Sequence, residues 1–392
     1  MKLGLKLRDS LPIVTLCIGA LVLHCTGDGG IALGKSDVDN AIASTERNYP
    51  RIEGSIFFKY SFDSLLDDND GRDDDRRMKS LMEVYENSRF YFTENFLLYA
   101  NIALRPVSPR ENHGDEGYTQ RKHYFFRGYG LLVEEIDIEY REERFLFGVG
   151  KFNPTFSYAL KNKYYGIDGT RILSSYQLYE KVGFYTAMIL PMLTARINFF
   201  RNDTTFLSNS LINDRGRYNL ENDIGNVPNI LENFSITVDF PVLDNNKFNF
   251  GFRKLATKDS NKKSEFGFVA GLECLFEETR ETLGAAPAIE FVALHNYGGE
   301  TANNTFFILA NMPFFYDKWN FGLAWSGKIF KGDRWKVSQI FQGSIDYTFQ
   351  NGLAIDFSRK YEVGHHSNSD GKIQKDKFSS WGVGLSYLLK FE

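Results

Sequence analysis

The stretch Phe378-Ser-Ser-Trp-Gly-Val-Gly-Leu-Ser-Tyr-Leu-Leu-Lys-Phe391 limits what this chain can fold into more than any other. Trp381, Val383, Leu385, Tyr387, Leu389 and Phe391 share one face of an extended strand. Ser380, Gly382, Gly384, Ser386 and Lys390 share the other, with Leu388 the exception. Period-two alternation of this kind is the signature of a strand with one apolar face. That face stays large and apolar for about eleven residues, the span a tilted transmembrane strand needs.

The chain begins in a complementary way. Lys2, Lys6 and Arg8 precede an apolar run from Leu11 to Leu23. The run suits the core of a secretory signal and is too short to cross a bilayer as a helix. Residues 1–34 therefore read as a signal peptide with cleavage between about residues 25 and 34, where no Ala-x-Ala site fixes the bond. Residues 35–51 read as a short periplasmic segment, and 52–392 as the folded body. No later segment approaches the length of an apolar membrane helix. Yet the chain holds 36 Phe and 21 Tyr while its mean hydropathy is −0.33. A barrel with an apolar outside and a wet inside averages to such a value. Beyond the signal only Cys274 remains, so no disulfide within the chain can support the fold.

Sixteen strands can be read, with fourteen to eighteen as the range. They are Ile52–Phe62, Leu81–Phe92, Phe96–Arg105, Gly128–Tyr140, Arg144–Phe152, Tyr179–Leu190, Leu193–Asn202, Glu232–Val242, Lys247–Thr257, Glu265–Phe276, Pro287–Tyr297, Thr305–Tyr316, Trp319–Phe330, Trp335–Phe349, Leu353–Val363 and Phe378–Phe391. Short turns such as Thr93-Glu94-Asn95 and the hairpin signal Gln350-Asn351-Gly352 alternate with longer connections. Alternating short and long connections are the pattern of a membrane barrel, with short periplasmic turns and long outer loops. An even strand count puts both ends on the periplasmic side. The fold class expected is all-β, a transmembrane antiparallel barrel wide enough for an aqueous lumen.

The final strand resembles the C-terminal strand of bacterial outer-membrane barrels, which usually end in Phe; here Glu392 follows Phe391. The resemblance makes Tyr387, Leu389 and Phe391 an assembly signal for barrel-assembly machinery. The stretch Gly150-Lys-Phe-Asn-Pro-Thr-Phe156, after the acidic strand Val133-Glu-Glu-Ile-Asp-Ile-Glu-Tyr140, is similar to the equivalent segment of general and phosphate-selective porins. In those families the third long loop folds inward and narrows the channel, a role that would fall here to Asn153–Leu178. The resemblance implies an outer-membrane channel for passive diffusion of small hydrophilic solutes or ions, as a homotrimer or a monomer.

Residues that line such a channel follow from the alternation. Glu135, Asp137 and Glu139 point inward on one strand, and Arg196, Lys247 and Arg253 point inward on three others. Acids on one wall facing bases on another would select by charge. Lys161, Lys163, Asp168 and Arg171 lie on the narrowing loop itself, beside Tyr158, Tyr164, Tyr165 and Tyr176. No inward run of arginines is dense enough for a phosphate ladder. Cys274 shares a face with Phe266, Phe268, Ala270 and Leu272 and is expected to face lipid.

Three further features carry little chemistry. The acidic run Asp67–Arg77 misses the register of a calcium loop. His365-His366 lacks a third ligand. His295, the only histidine read on a strand, has no serine motif beside it and neighbours Phe291 and Ala293, so an enzyme is not expected. No cofactor or metal is expected either. The expected partners are outer-membrane lipid, lipopolysaccharide, the assembly machinery and hydrophilic solutes. A net charge of −4 gives no basis for nucleic-acid binding. The alternative function is a barrel whose surface loops act in adhesion or in host or phage binding.

Overall fold

The structure is a computed structural model. It describes residues 48–67, 77–107, 124–125, 128–157, 175–213, 215, 224–242, 246–276, 283–331, 335–367 and 373–392. The strands, in chain order, are β1 (Arg51–Asp67), β2 (Arg77–Tyr91), β3 (Phe96–Pro106), β4 (Tyr124–Phe125), β5 (Tyr129–Arg141), β6 (Phe145–Phe152), β7 (Lys181–Leu190), β8 (Leu193–Asn202), β9 (Phe234–Val242), β10 (Asn246–Leu255), β11 (Glu265–Cys274), β12 (Gly284–Ala285), β13 (Ala288–His295), β14 (Thr305–Tyr316), β15 (Trp319–Lys331), β16 (Trp335–Thr348), β17 (Leu353–Ser367) and β18 (Ile373–Phe391). Among the described residues, every strand but the two-residue β4 pairs antiparallel with its neighbours, and β1 pairs with β18 over Gly54–Asp67. That seam closes a sixteen-strand barrel. Closure is the physical requirement, because an open edge in lipid would leave backbone groups without partners. No described helix is long and apolar enough to cross a membrane.

The shortness of β12 has a simple cause. β12 and β13 keep one register against β14, and Pro287 breaks the strand between them because it has no N–H to give. The β11–β13 hairpin therefore continues past the expected turn, with Phe276 bridged to Ala285. The backbone of β4 lies parallel to β2 beside Lys79 and Ser80.

The outer face carries the apolar side chains. Phe58, Phe147, Phe268, Leu323, Phe357 and Val383 are each at least 40% exposed, as a surface covered by lipid would be. Rings cluster at the short-turn end. Trp319 lies 4.7 Å from Tyr347, Tyr347 lies 4.9 Å from Phe349, and Phe90 lies 4.8 Å from Phe92. This is half of the aromatic girdle that a barrel places at a membrane interface. Phe391 stands opposite Gly54 across the seam, and its ring occupies the space a Cβ at Gly54 would take. Leu389 is opposite Ile56, and Tyr387 pairs with Phe58 and Leu353.

Two local departures from simple alternation matter. Asn101 pairs with Glu135 but Ile102 pairs with Val133, so β5 bulges at Glu134. The bulge turns both Glu134 and Glu135 inward and moves the buried Leu132 to the inner face. Cys274 keeps the outward register expected for it, opposite Asn246, yet it is fully buried where the hairpin runs on past it.

Candidate functional site: the lumen and its inward connection

The pivot is the segment Gly150–Phe156. Gly150 has φ +149°, and a Cβ there would collide with the Ile136 carbonyl, so only glycine fits. Lys151 is in register with the outward Ile136 and Val182, and it turns into a buried ion cluster at the long-loop end. Its Nζ lies 3.2 Å from Glu180 and 3.0 Å from Asp203, and it donates to the Leu207 carbonyl at 2.8 Å. Arg215 donates to both oxygens of Glu180, one at 2.9 Å. Two cations and two acids, all buried, balance one another. The segment that brings Asp203 and Arg215 there also bonds to β5, with Leu211 N–H donating to the Leu131 carbonyl. β6 pairs with β5 only from Ile136 onward, so this segment completes the wall that β6 leaves open.

After the pivot, residues 153–157 contact inner-face side chains of several strands. Asn153 N–H donates to Glu135 at 3.0 Å. The Thr155 carbonyl accepts from Ser235 of β9 at 2.8 Å and from Asn198 of β8 at 3.4 Å. Phe156 packs beneath the Arg253 guanidinium of β10, 4.6 Å from its ring centre. Ser157 donates to Glu290 of β13 at 2.6 Å. The returning leg meets the same strand, where the Tyr176 hydroxyl donates to Glu290 at 2.5 Å. Tyr297 donates to the Ser175 carbonyl at 3.1 Å. Burial raises the Tyr297 hydroxyl above its ordinary pKa, and the Glu265 carboxylate adds to the rise. That hydroxyl stays a donor at neutral pH.

These contacts fill one side of the lumen. Phe152, Phe156, Tyr176, Tyr185, Phe200 and Phe307 belong to one buried apolar cluster, extended by Val292, Leu309 and Ile340. Tyr176 and Phe307 lie 5.0 Å apart, Phe152 and Tyr185 4.8 Å. The opposite side differs. Lys59, Glu83, Asn87, Asn101, Ser344, Asp346 and Asp356 lie on the inner faces of β1, β2, β3, β16 and β17 and are only half-buried. Asp346 and Asp356 stand opposite each other. Gly384 of β18 leaves the space that the Asp356 carboxylate fills.

The residues expected to shape the channel divide in the same way. Asp137 and Glu139 are buried around Tyr185, whose hydroxyl reaches both, Asp137 at 2.8 Å. Arg141 donates to Glu139 at 2.7 Å. Arg196 lies on the same wall as these acids, 3.9 Å above the Tyr185 ring, and donates to Asn198 at 3.0 Å. Arg253 is buried, paired with Glu265 and donating to the Tyr176 carbonyl. Lys247 sits at the short-turn end of β10, six residues from Arg253. Arg196, Lys247 and Arg253 lie on the inner faces of β8 and β10 with β9 between them, Arg196 in the row of Thr237 and Gly251, between the levels of Lys247 and Arg253. Lys161, Lys163, Asp168 and Arg171 lie outside the described residues, as do Tyr158, Tyr164 and Tyr165. Sequence reading missed Glu134, which pairs with Arg105 at 2.8 Å, because one extra residue in β5 inverts the alternation there. It also missed Glu290, an inward acid whose alternation with Ala288 and Val292 was the available signal. His295 faces outward, with Nδ1 2.7 Å from Asn304. No cluster of metal-ligating side chains occurs among the described residues.

No protein-family model matches the chain, and no curated protein does. Solved structures do. OccAB4 of Acinetobacter baumannii is similar at 11% identity with a TM-score of 0.50, covering 88% of this chain and 99% of its own. OccAB3 of the same organism matches at 8% identity and a TM-score of 0.52, covering 87% and 99%. OmpT in its trimer form, an outer membrane protein of Vibrio cholerae, matches at 8% identity and a TM-score of 0.51, covering 87% and 100%. Identity this low speaks for the fold alone. With its closed sixteen-strand wall and apolar exterior, the chain has the fold of a bacterial outer-membrane porin-like β-barrel.

Proposed function

We propose that this protein is an outer-membrane channel through which small hydrophilic solutes or ions diffuse passively. The observation that carries the reading is the division of the lumen. An apolar cluster and the ends of the third long connection occupy the β6–β14 side. Polar side chains line the β16–β17 and β1–β3 side, half-buried at Lys59, Glu83, Asn87, Asn101, Ser344, Asp346 and Asp356 and buried at Gln342, Ser358 and Lys360. A barrel that only held its loops at the surface would have no use for a wet inner wall of both charges. Sixteen strands enclose enough room for an aqueous path.

In this reading the water path runs along the polar wall, past Lys59, Asp346 and Asp356. The third connection, Asn153–Leu178, folds inward and forms the opposing side and the narrowest point. Glu135 and Glu290 hold its two legs. Asp137, Glu139, Arg196 and Arg253 stabilise that inward fold through local pairs, and the charges a solute meets belong to the polar wall and to the middle of the connection. The homotrimer is the assembly favoured by the likeness to a barrel solved as a trimer. No catalytic constellation enters this account, and the protein acts as a channel and not as an enzyme.

Liposome swelling tests the proposal. Vesicles holding the refolded protein should admit small sugars and amino acids at rates that fall with solute size. Swelling no faster than in protein-free vesicles, with a correctly folded barrel by gel mobility, would overturn it.

A further inference from the structure

The outer wall holds a trough of about 690 Å³ across β10, β11, β13 and β14, within the size range of small-molecule and lipid-chain sites. Its floor follows from the register. Ala270 stands between Phe250 and Phe291, and Ala293 stands between Phe268 and Phe306. Two small side chains among four rings leave a groove there. All four rings are at least 40% exposed, Phe268 to 59%. Contact with lipid requires only an apolar surface. A groove bordered by phenylalanines gives one extended chain more contact area than a smooth wall does.

The chemistry changes at one end. Two residues further along the strands, roughly 7 Å, the outward row reads Lys254, Phe266, His295 side by side. His295 is already held by Asn304. The loop above, residues 256–264, adds Lys258, Lys262 and Lys263 against one acid, Asp259. Lys258 and Lys263 are exposed, and Lys262 packs beside Gly299. Glu300 on the next loop is the other acid at this corner. Four lysines against two carboxylates at the mouth of an apolar groove make an amphipathic site with a positive end, on the long-loop side of the barrel.

We infer that this trough binds an acyl chain of a phosphate-bearing lipid in the leaflet on the long-loop side, with the headgroup phosphate held by Lys254 and the lysines above it. The chain lies over Ala270 and Ala293, and the ammonium groups neutralise the phosphate at the interface. A second copy of the barrel would fill the same groove with apolar side chains and would have no need of the lysines.

Native mass spectrometry of the refolded barrel, with phosphatidylglycerol as the probe and phosphatidylcholine as the comparison, tests this. The wild-type protein should retain one phosphatidylglycerol under activation that strips phosphatidylcholine. Ala293→Phe fills the groove and should abolish retention. Val383→Phe, on the outer face of β18, should leave it unchanged. Lys254→Gln combined with Lys258→Gln and Lys263→Gln, which leaves the groove intact, should weaken retention by about tenfold or more. Equal retention by wild type and Ala293→Phe would overturn the inference. So would loss of an oligomer in Ala293→Phe with no lipid retained by the wild type, which would assign the groove to a second copy.

Discussion

The Tyr176 hydroxyl donates to the buried Glu290 carboxylate at 2.5 Å, joining the returning leg of the third connection to the inner face of β13. Ser157, on the outgoing leg, donates to the same oxygen. One acid therefore fastens both legs of the connection, although it lies 133 residues after Ser157 and 114 after Tyr176 in the chain, in a region closed to water. Such a group is expensive to disturb, because each buried donor left without an acceptor costs about 1–3 kcal/mol.

Glu290→Ala should release both legs. The heat-modifiable gel transition is expected to fall, and single-channel current is expected to become noisier and larger. Glu290→Gln keeps an acceptor and should lose less. A transition temperature and current equal to wild type in Glu290→Ala would show that the legs are held by other contacts.

Lys151→Met should destabilise the long-loop end by about 3–5 kcal/mol, the cost of removing one partner from a buried ion network. Glu180, Asp203 and Arg215 would remain with one negative charge in excess. Protease nicking within residues 203–233 reports the loss. The β-sheet circular dichroism should stay near wild type, since the barrel wall is closed elsewhere.

Phe391→Ser should lower the amount of folded barrel in the outer membrane. The Phe391 ring fills the place of a side chain at Gly54, so both sides of the seam depend on it. Gly54→Val displaces the ring and should give the same defect. Wild-type levels of Phe391→Ser would mean that Tyr387 and Leu389 suffice as the assembly signal.

The wall was legible in the sequence because alternation with lipid outside and water inside is a strong, repeated constraint. Leu193–Asn202 and Thr305–Tyr316 were bounded to the residue, and Phe96 and Trp319 were placed as strand starts. Ends that project beyond the membrane were shorter in the sequence reading. β1 runs on to Asp67 and β18 begins at Ile373, in stretches too polar to show a face. The β5 bulge was invisible because one extra residue leaves no compositional trace. The pairing of Arg253 with Glu265 was also hidden, since alternation shows that a charge points inward but not which neighbour neutralises it. Lys151 sits on an outward register position, where only the segment after β8 explains a buried cation.

Cys274 should react slowly with a membrane-impermeant thiol reagent in the folded barrel and at one thiol per chain after denaturation. It is fully buried. Rapid labelling in the folded state that also blocks current would place it in the lumen and shift β11 by one residue.

The central claim is a water-filled lumen narrowed by Asn153–Leu178, and single-channel conductance with Lys161–Thr170 deleted tests it most directly. The deletion leaves Ser157, Tyr176 and their bonds to Glu290 in place. The account predicts a higher conductance and a larger solute cut-off than the intact protein, with unchanged heat-modifiable mobility. Identical conductance and cut-off in the two proteins would contradict it.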